Sequence, residues 1–179
     1  QAQRPAAFPC IGKLRKGGTK QIGKSGKEVM GRDLDHFRFV SDDPASAQAF
    51  STYYGDEPKA INVFLPFATA DENFAAWMEE YRAGGLVRRC DGETCVFSRD
   101  AKGVALTMPT PCIKSCACKQ VGRLSVIIPE LARLAYVTVE THSVWDIIQL
   151  TENLQAAQVL RGDLRGIPFI LSRREREIS

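Results

Sequence analysis

Five of the six cysteines of this chain lie within 29 residues, as Cys90-x4-Cys95 followed by Cys112-x3-Cys116-x-Cys118. Two short cysteine clusters joined by a longer loop are typical of a tetrahedral zinc site, in which two turns each present thiolates to the metal. Cys90, Cys95 and Cys112 are expected as ligands, and Cys116 and Cys118 compete for the fourth position. The pattern therefore predicts a fold that a structural zinc ion (Zn2+) stabilises.

A disulfide framework is the main alternative, because such frameworks are usual in short secreted chains, and a set of unrelated thiols is another. The N-terminal sequence QAQRPAAFPC has neither an apolar core segment nor a small-residue cleavage site, so nothing indicates secretion. No stretch approaches the ~18 apolar residues of a membrane span. Reduced, metal-binding thiols are therefore the preferred interpretation.

Catalysis is not expected from these residues. A site of four thiolates has no open coordination position for water, so it would stabilise the fold and would not hydrolyse a substrate. The only histidines are His36 and His142, and neither lies in an HExxH-like pattern. The segment Gly18-x4-Gly23-Lys24-Ser25 has the spacing of a phosphate loop but lacks the buried strand and following helix that such a loop needs. The sequence predicts a protein that is not an enzyme.

The charge distribution divides the chain. Residues 1–32 carry eight cations and one anion, a net charge of +7, which leaves −4 for the remainder of a chain whose total is +3. A basic, glycine-rich segment is typical either of a contact with nucleic-acid phosphates or of a solvated, flexible arm. We predict a basic arm over residues 1–33 and a single domain over residues 34–179, with a zinc-binding lobe at about residues 86–120.

Periodicity and turn signals predict the secondary structure of that domain. Helices are expected at residues 44–54 and 143–162, with a shorter one at 129–134. A further helix is expected from Asp71 to Gly84, because Phe74, Trp77, Met78 and Tyr81 recur at three and four residues. The remaining segments read as strands, namely residues 35–40, 60–67, 86–90, 95–98, 104–108, 122–128, 136–140 and 167–171. Because several strands are joined as hairpins, the predicted class is α+β with a mainly antiparallel sheet.

Aromatic residues are candidates for a binding surface, because they dominate interface hot spots. The candidates by residue type are Tyr53, Tyr54, Phe67, Trp77 and Trp145. Core packing is the preferred role for each of them. No contact residue is assigned from the sequence.

Several motifs occurring together resemble the phage recombination directionality factors that partner large serine integrases. They are AGGL at 83–86, CDGETC at 90–95, VGRL at 121–124, IPEL at 128–131, YVTVETHS at 136–143 and RGDLRGIPF at 161–169. The resemblance extends from about residue 8 to the end, and related bacterial proteins are described as metal-binding. Relatives are expected to continue past residue 179 with a further basic segment.

The resemblance implies a zinc site formed by Cys90, Cys95, Cys112 and Cys118, with Cys116 as the departure from the family pattern. It also implies a cytoplasmic protein of the bacterial host cell that binds the coiled coil of a serine integrase. Such a factor switches the integrase from attP with attB integration to attL with attR excision, and would contact DNA only indirectly or without specificity. The alternative function is a zinc-containing nucleic-acid-binding protein of phage DNA metabolism, which the basic segment and Arg173-Arg174 motivate.

Overall fold

The computed structural model describes residues 8–29, 31–106, 109–113 and 116–174. Its elements in chain order are β1 (Cys10–Gly17), β2 (Gln21–Ile22), β3 (Glu28–Val29), β4 (Asp33–Val40), α1 (Pro44–Tyr54), β5 (Ala60–Val63), α2 (Ala70–Asn73), β6 (Phe74–Arg82), β7 (Gly85–Cys90), β8 (Thr94–Arg99), β9 (Ala105–Leu106), β10 (Thr110–Pro111), β11 (Lys119–Val126), a 3-10 helix (Pro129–Leu131), β12 (Tyr136–Thr141), α3 (Val144–Arg161) and β13 (Phe169–Ser172).

A nine-stranded sheet dominates the molecule, in the order β10-β8-β7-β6-β11-β12-β1-β4, with β9 paired to β8. Only the β1–β12 pair is parallel among the strand pairs of the described residues. Two small antiparallel pairs, β2–β3 and β5–β13, complete the strands. The predicted α+β class with a mainly antiparallel sheet is therefore confirmed.

The core lies between one face of this sheet and the helices. Leu124 and Val126 of β11 are opposite Val139 and Val137 of β12, and all four side chains are buried. Gly122 lets α3 approach this face, because a Cβ atom there would lie 2.8 Å from the ring of Phe74 and 2.9 Å from Ile147. The opposite face of the sheet carries the alternate residues of each strand.

Local capping signals correctly predicted two helices. The predicted helix at residues 44–54 is α1, which ends at Gly55 with φ of 72°. The side chain of Ser143 accepts a hydrogen bond from the backbone N–H of Asp146 at the start of α3, and Gly162 follows its last residue. No helix among the described residues is both long enough and apolar enough to cross a lipid bilayer.

The helix predicted from Asp71 to Gly84 is wrong. A capping box between Thr69 and Glu72 starts the short helix α2, which ends at Asn73. From Phe74 the chain becomes β6, which pairs with β11 on one side and β7 on the other. The spacing of the aromatic residues fitted a helix, but pairing with two neighbouring strands overrides a local preference.

The basic N-terminal segment contributes a strand to the main sheet. β1 lies between β12 and β4, and Leu14 at its centre is 0 % exposed. Gly23, Lys24 and Ser25 lie in the hairpin between β2 and β3, where the Gly23 N–H donates to the carbonyl oxygen of Lys27. The Gly-Lys-Ser residues that fit the phosphate-loop spacing therefore lie in the turn of a β-hairpin.

Two of the five candidate aromatic residues are exposed: Tyr53 at 62 % and Trp145 at 54 %. Tyr54, Phe67 and Trp77 are half-buried. Tyr54 packs against the core, whereas Trp77 lies on the opposite face of the sheet, where Arg89 stands over its ring. The core-packing expectation is thus wrong for Tyr53 and Trp145. Exposure at Trp145 places an aromatic ring on the outer surface of α3.

Candidate metal centre

The hairpin formed by β7 and β8 brings Cys90 and Cys95 into direct opposition. The two residues are paired in register across the hairpin, and both are buried. The turn between them is formed by Asp91, whose carboxylate accepts hydrogen bonds of 2.8 Å from the backbone N–H groups of Glu93 and Thr94. These two bonds lower the pKa of Asp91. The Asp-Gly turn predicted from the sequence therefore positions the first two thiols.

Cys112 joins this pair through strand β10. Thr110 of β10 pairs with Cys95, and the Cys112 N–H donates to the carbonyl oxygen of Glu93 at 2.7 Å. The Sγ atoms of Cys90, Cys95 and Cys112 all lie within 4.8 Å of one another, with Cys90 and Cys112 at 3.4 Å. Thiolates bound at about 2.3 Å to a tetrahedral zinc ion are about 3.8 Å apart. The three sulfur atoms are therefore close enough to share one metal ion.

Cys116 and Cys118 both lie beside this group of three. The Sγ atoms of Cys112 and Cys116 are 3.8 Å apart. The thiol of Cys118 interacts with those of Cys90 and Cys116. Because each of the two contacts the cluster, the choice of Cys118 over Cys116 as fourth ligand stays a prediction.

The crowding of these thiols affects their protonation. The pKa of Cys112 is raised to about 12, first by its hydrogen bond with Cys90 and then by burial. Burial, followed by the contact with Cys116, raises the pKa of Cys118 to about 12 as well. The pKa of Cys116 is lowered because the backbone and side chain of Cys118 donate hydrogen bonds to its sulfur. Neighbouring thiolates repel one another, and a bound divalent cation would reverse that effect.

The donor set fits a structural metal better than a catalytic one. All of the candidate ligands are thiols, and the two histidines lie elsewhere: His36 contacts Asp35, and His142 contacts Glu140 and the carbonyl oxygen of Gln120. Soft thiolate ligands in a closed tetrahedral site are typical of structural zinc. Cys90, Cys95 and Cys112 could hold a metal ion, and a fourth thiolate from Cys116 or Cys118 would leave no position for a reacting water molecule.

A buried ion-pair network lies next to the cysteines, and the sequence did not reveal it. Glu79 in the middle of β6 has a side chain that is 0 % exposed. Its carboxylate accepts hydrogen bonds from Arg89 at 2.7 Å, from Arg123 at 2.7 and 2.9 Å, and from the Tyr81 hydroxyl at 3.0 Å. Burial raises the pKa of Glu79, but the hydrogen bonds from Arg123, Arg89 and Tyr81 outweigh it, so the pKa falls to about 2.

This network stabilises the strands that carry the first thiol. Arg89 immediately precedes Cys90 on β7, and Glu79 is opposite Arg89 on β6. Arg123 links the pair to β11 and also donates to Glu140 on β12 at 3.2 Å. Residues 74–82 gave no signal for this burial, because five consecutive apolar residues precede Glu79 and Glu80 and the segment does not alternate between apolar and polar positions. Four adjacent strands are thus cross-linked beside the cysteine cluster.

Comparison with known proteins agrees with the resemblance noted in the sequence. A family model described as Gp3-like, recombination directionality factor-like, matches residues 11–179. No curated protein and no solved structure matches the chain. The match covers both the large sheet and the cysteine cluster. The chain therefore belongs to the Gp3-like family of recombination directionality factor-like proteins.

Proposed function

We propose that this protein is a recombination directionality factor that binds a large serine integrase and changes which pairs of DNA sites the integrase recombines. In its absence the integrase joins attP to attB, and with the factor bound it joins attL to attR. The observation that carries this proposal is the family match over residues 11–179. The role is regulatory, and no catalytic residue is assigned to the chain.

The proposed switch is a shift between two arrangements of the integrase coiled coil. A factor changes such an equilibrium only if it binds one arrangement more tightly than the other, since equal affinity for both shifts nothing. A difference on the order of 3 kcal/mol in binding free energy changes the ratio more than a hundredfold. The factor therefore has to redirect the coiled coil by selective binding.

The cysteine cluster has a structural role in this proposal. Cys90, Cys95, Cys112 and Cys118 would hold a zinc ion, with Cys116 as the alternative to Cys118. Zinc bound to four thiolates would join the β7–β8 hairpin to the segment after β10 and stabilise both. The hairpin and the segment after β10 would then keep the same conformation when the factor binds the integrase.

The outer surface of α3 is the best candidate for the integrase contact. At its first turns, Val144, Trp145 and Ile148 are 51 %, 54 % and 40 % exposed. Ile148 lies four residues after Val144 and three after Trp145, so its side chain is next to both of them on the helix surface. Exposed apolar side chains grouped around a tryptophan are typical of protein interfaces. A helix of the integrase coiled coil would pack against this side.

A charged substitution on this surface is expected to weaken integrase binding. The Val144→Asp, Ile148→Asp double variant should lose about 2 kcal/mol of binding free energy or more, a roughly thirtyfold weaker Kd, because two carboxylates would be buried at the interface. Isothermal titration calorimetry with purified integrase measures the change. Leu134→Asp is the control, because Leu134 is also exposed, at 81 %, and follows the 3-10 helix instead of lying on α3. Equal losses in the two variants would contradict this docking surface.

The switching activity itself is tested with purified integrase and plasmids. Added factor is expected to promote recombination of attL with attR and to suppress recombination of attP with attB. The Leu134→Asp control should switch like the unmodified protein, whereas the α3 variant should not. If the unmodified factor changes neither reaction, the proposed function is wrong.

A further inference from the structure

The large sheet has an open face, defined as the face opposite to the core and to helices α1 and α3. Leu14 of β1 is opposite Phe39 of β4, and both belong to or pack against the core. Because strand residues alternate between faces, Lys13 and Arg15 on β1 lie on the open face. Arg38 lies there too, directly opposite Arg15.

The open face carries an excess of positive charge. Strand register and alternation place six basic and two acidic residues on it between β4 and β7, a net charge of +4: Lys13, Arg15, Arg38, Arg89, Lys119 and Arg123, with Glu79 and Glu140. Both carboxylates are already paired with arginine, Glu79 with Arg89 and Arg123, and Glu140 with Arg123. Of the four cations that remain, Lys119 lies on β11, and the other three lie on β1 and β4, at the opposite side of the sheet from the cysteine cluster.

The open-face cations of β1 and β4 are not neutralised within the part of the chain that the structure describes, in contrast to Lys16 of β1, which pairs with Asp146. Lys13, Arg15 and Arg38 form no ion pair with a described carboxylate. Arg38 instead donates to the carbonyl oxygen of Gly17 at 3.2 and 3.3 Å. Like charges directly opposite one another on antiparallel strands destabilise a sheet. Such an arrangement favours the binding of an anion that the two arginines could share.

The side chains around these cations fit a nucleic-acid backbone better than an acidic protein. Thr138 of β12 is paired with Lys13, and Ser125 of β11 is paired with Thr138, so hydroxyl groups continue the face beyond the cations. Lysine, arginine, serine and threonine side chains are the groups that contact phosphate and sugar oxygens in complexes with DNA. A protein partner would also need buried apolar anchors, and among the strand neighbours of Arg15 and Arg38 on this face only the partly exposed Val40 is apolar. The exposed apolar residues Ile22 and Val29 lie on the separate β2–β3 hairpin.

We propose that the open face over β4, β1 and β12 binds the phosphate backbone of a nucleic acid without sequence preference. The β2–β3 hairpin, which follows β1 in the chain and forms a separate two-stranded sheet, carries two further cations, Lys24 and Lys27. The affinity comes from displaced counterions, so it falls steeply as salt is added. This binding needs no integrase and does not depend on the proposed function.

The open face of the sheet does not overlap the surface of α3 that is proposed to contact the integrase. Helix α3 packs against the core face of the sheet, where Ile147 approaches Gly122. The outer surface of α3 and the open face therefore lie on opposite sides of the molecule. One molecule could bind a recombinase through the helix and the neighbouring DNA backbone through the sheet.

The proposal is tested by fluorescence anisotropy with labelled random-sequence duplex and single-stranded DNA over a range of salt concentrations. The Lys13→Gln, Arg15→Gln variant is expected to bind about 10- to 100-fold more weakly at about 0.1 M salt and to reduce the slope of log K against log salt by about 2. The Lys102→Gln, Arg161→Gln variant removes the same charge from a turn and from the end of α3, and should change both quantities little.

Three results would overturn the proposal. If the unmodified protein does not bind DNA at low salt, or if both variants weaken binding equally, the open face is not a phosphate-binding surface. If the Lys13→Gln, Arg15→Gln variant keeps its DNA affinity but no longer binds integrase, the face recognises an acidic protein segment instead. Thermal melting checks that both variants remain folded. If the double variant does not fold, the single variant Lys13→Gln, at an exposed position, replaces it. It is expected to reduce the slope of log K against log salt by about 1.

Discussion

Replacing Cys90 by serine is expected to lower the melting temperature by about 6–12 °C, which corresponds to a loss of about 3 kcal/mol for a chain of this size. The free energy of binding a structural metal adds to the free energy of folding, because the ligands converge only in the folded state. Cys90 is 1 % exposed and lies 3.4 Å from Cys112 at the Sγ atoms, so its loss removes a central ligand. Differential scanning calorimetry measures the shift.

Three comparisons separate metal loss from a simple packing defect. Cys10→Ser alters the exposed cysteine of β1, outside the cluster, and should leave the melting temperature unchanged. A chelator should lower the melting temperature of the unmodified protein towards that of Cys90→Ser and should affect the variant little. Native mass spectrometry should show one zinc ion in the unmodified protein. If it shows none, or if Cys90→Ser melts like Cys10→Ser, the structural zinc site is rejected.

The same experiment distinguishes the two candidates for the fourth ligand. Cys118→Ser is expected to reproduce the loss seen in Cys90→Ser, whereas Cys116→Ser should retain the metal and most of the stability. The reverse result would assign the fourth position to Cys116. Either outcome is compatible with the structure, because Cys116 contacts Cys112 and Cys118 interacts with Cys90.

Glu79→Gln is expected to destabilise the fold by about 3 kcal/mol near neutral pH, a decrease of about 6–12 °C in melting temperature. The substitution would leave Arg89 and Arg123 without their shared carboxylate. Their side chains are 35 % and 29 % exposed, so water relieves part of the cost and the lower end of the usual range applies. Urea denaturation measures the change, and Glu152→Gln on the exposed side of α3 is the control.

The effect of Glu79→Gln should depend on pH. The pKa of Glu79 is about 2 in the folded protein and near its usual 4.5 in the unfolded chain. A lowered folded-state pKa contributes stability that is fully present above about pH 4.5 and is lost as the pH falls towards 2. The difference between the unmodified protein and Glu79→Gln should therefore be larger at pH 6 than at pH 3. An equal difference at both pH values would contradict the assigned pKa.

Local signals predicted the elements that local chemistry controls. The Asp91-Gly92 turn correctly predicted the β7–β8 hairpin, and Ser143 and Gly162 correctly predicted the ends of α3. These signals are reliable because a turn carboxylate or a helix cap forms its hydrogen bonds with residues only a few positions away. The facing pair Cys90 and Cys95 was predictable for the same reason.

Contacts between segments far apart in the chain could not be predicted from local signals. Residues 74–82 satisfy the spacing of a helix, and they form a strand because β11 pairs with them at positions 40 to 50 residues later in the chain. The burial of Glu79 depends on the same pairing, since Arg123 reaches its carboxylate across β6 and β11. A buried carboxylate is stable only when its partners converge on it, and the sequence does not show that convergence.

The sequence by itself determined which cysteines are candidates for a metal centre, the α+β class, the positions of α1 and α3, and the motifs that place the chain in its family. The tertiary structure alone decided that β10 brings Cys112 to the hairpin, that the basic N-terminal segment supplies a strand of the main sheet, and that Arg15 and Arg38 face each other on its open face. The physical reason is the range of the interactions: caps and turns are satisfied within a few residues, whereas sheet register and charge clustering depend on hydrogen bonds between strands far apart in the chain.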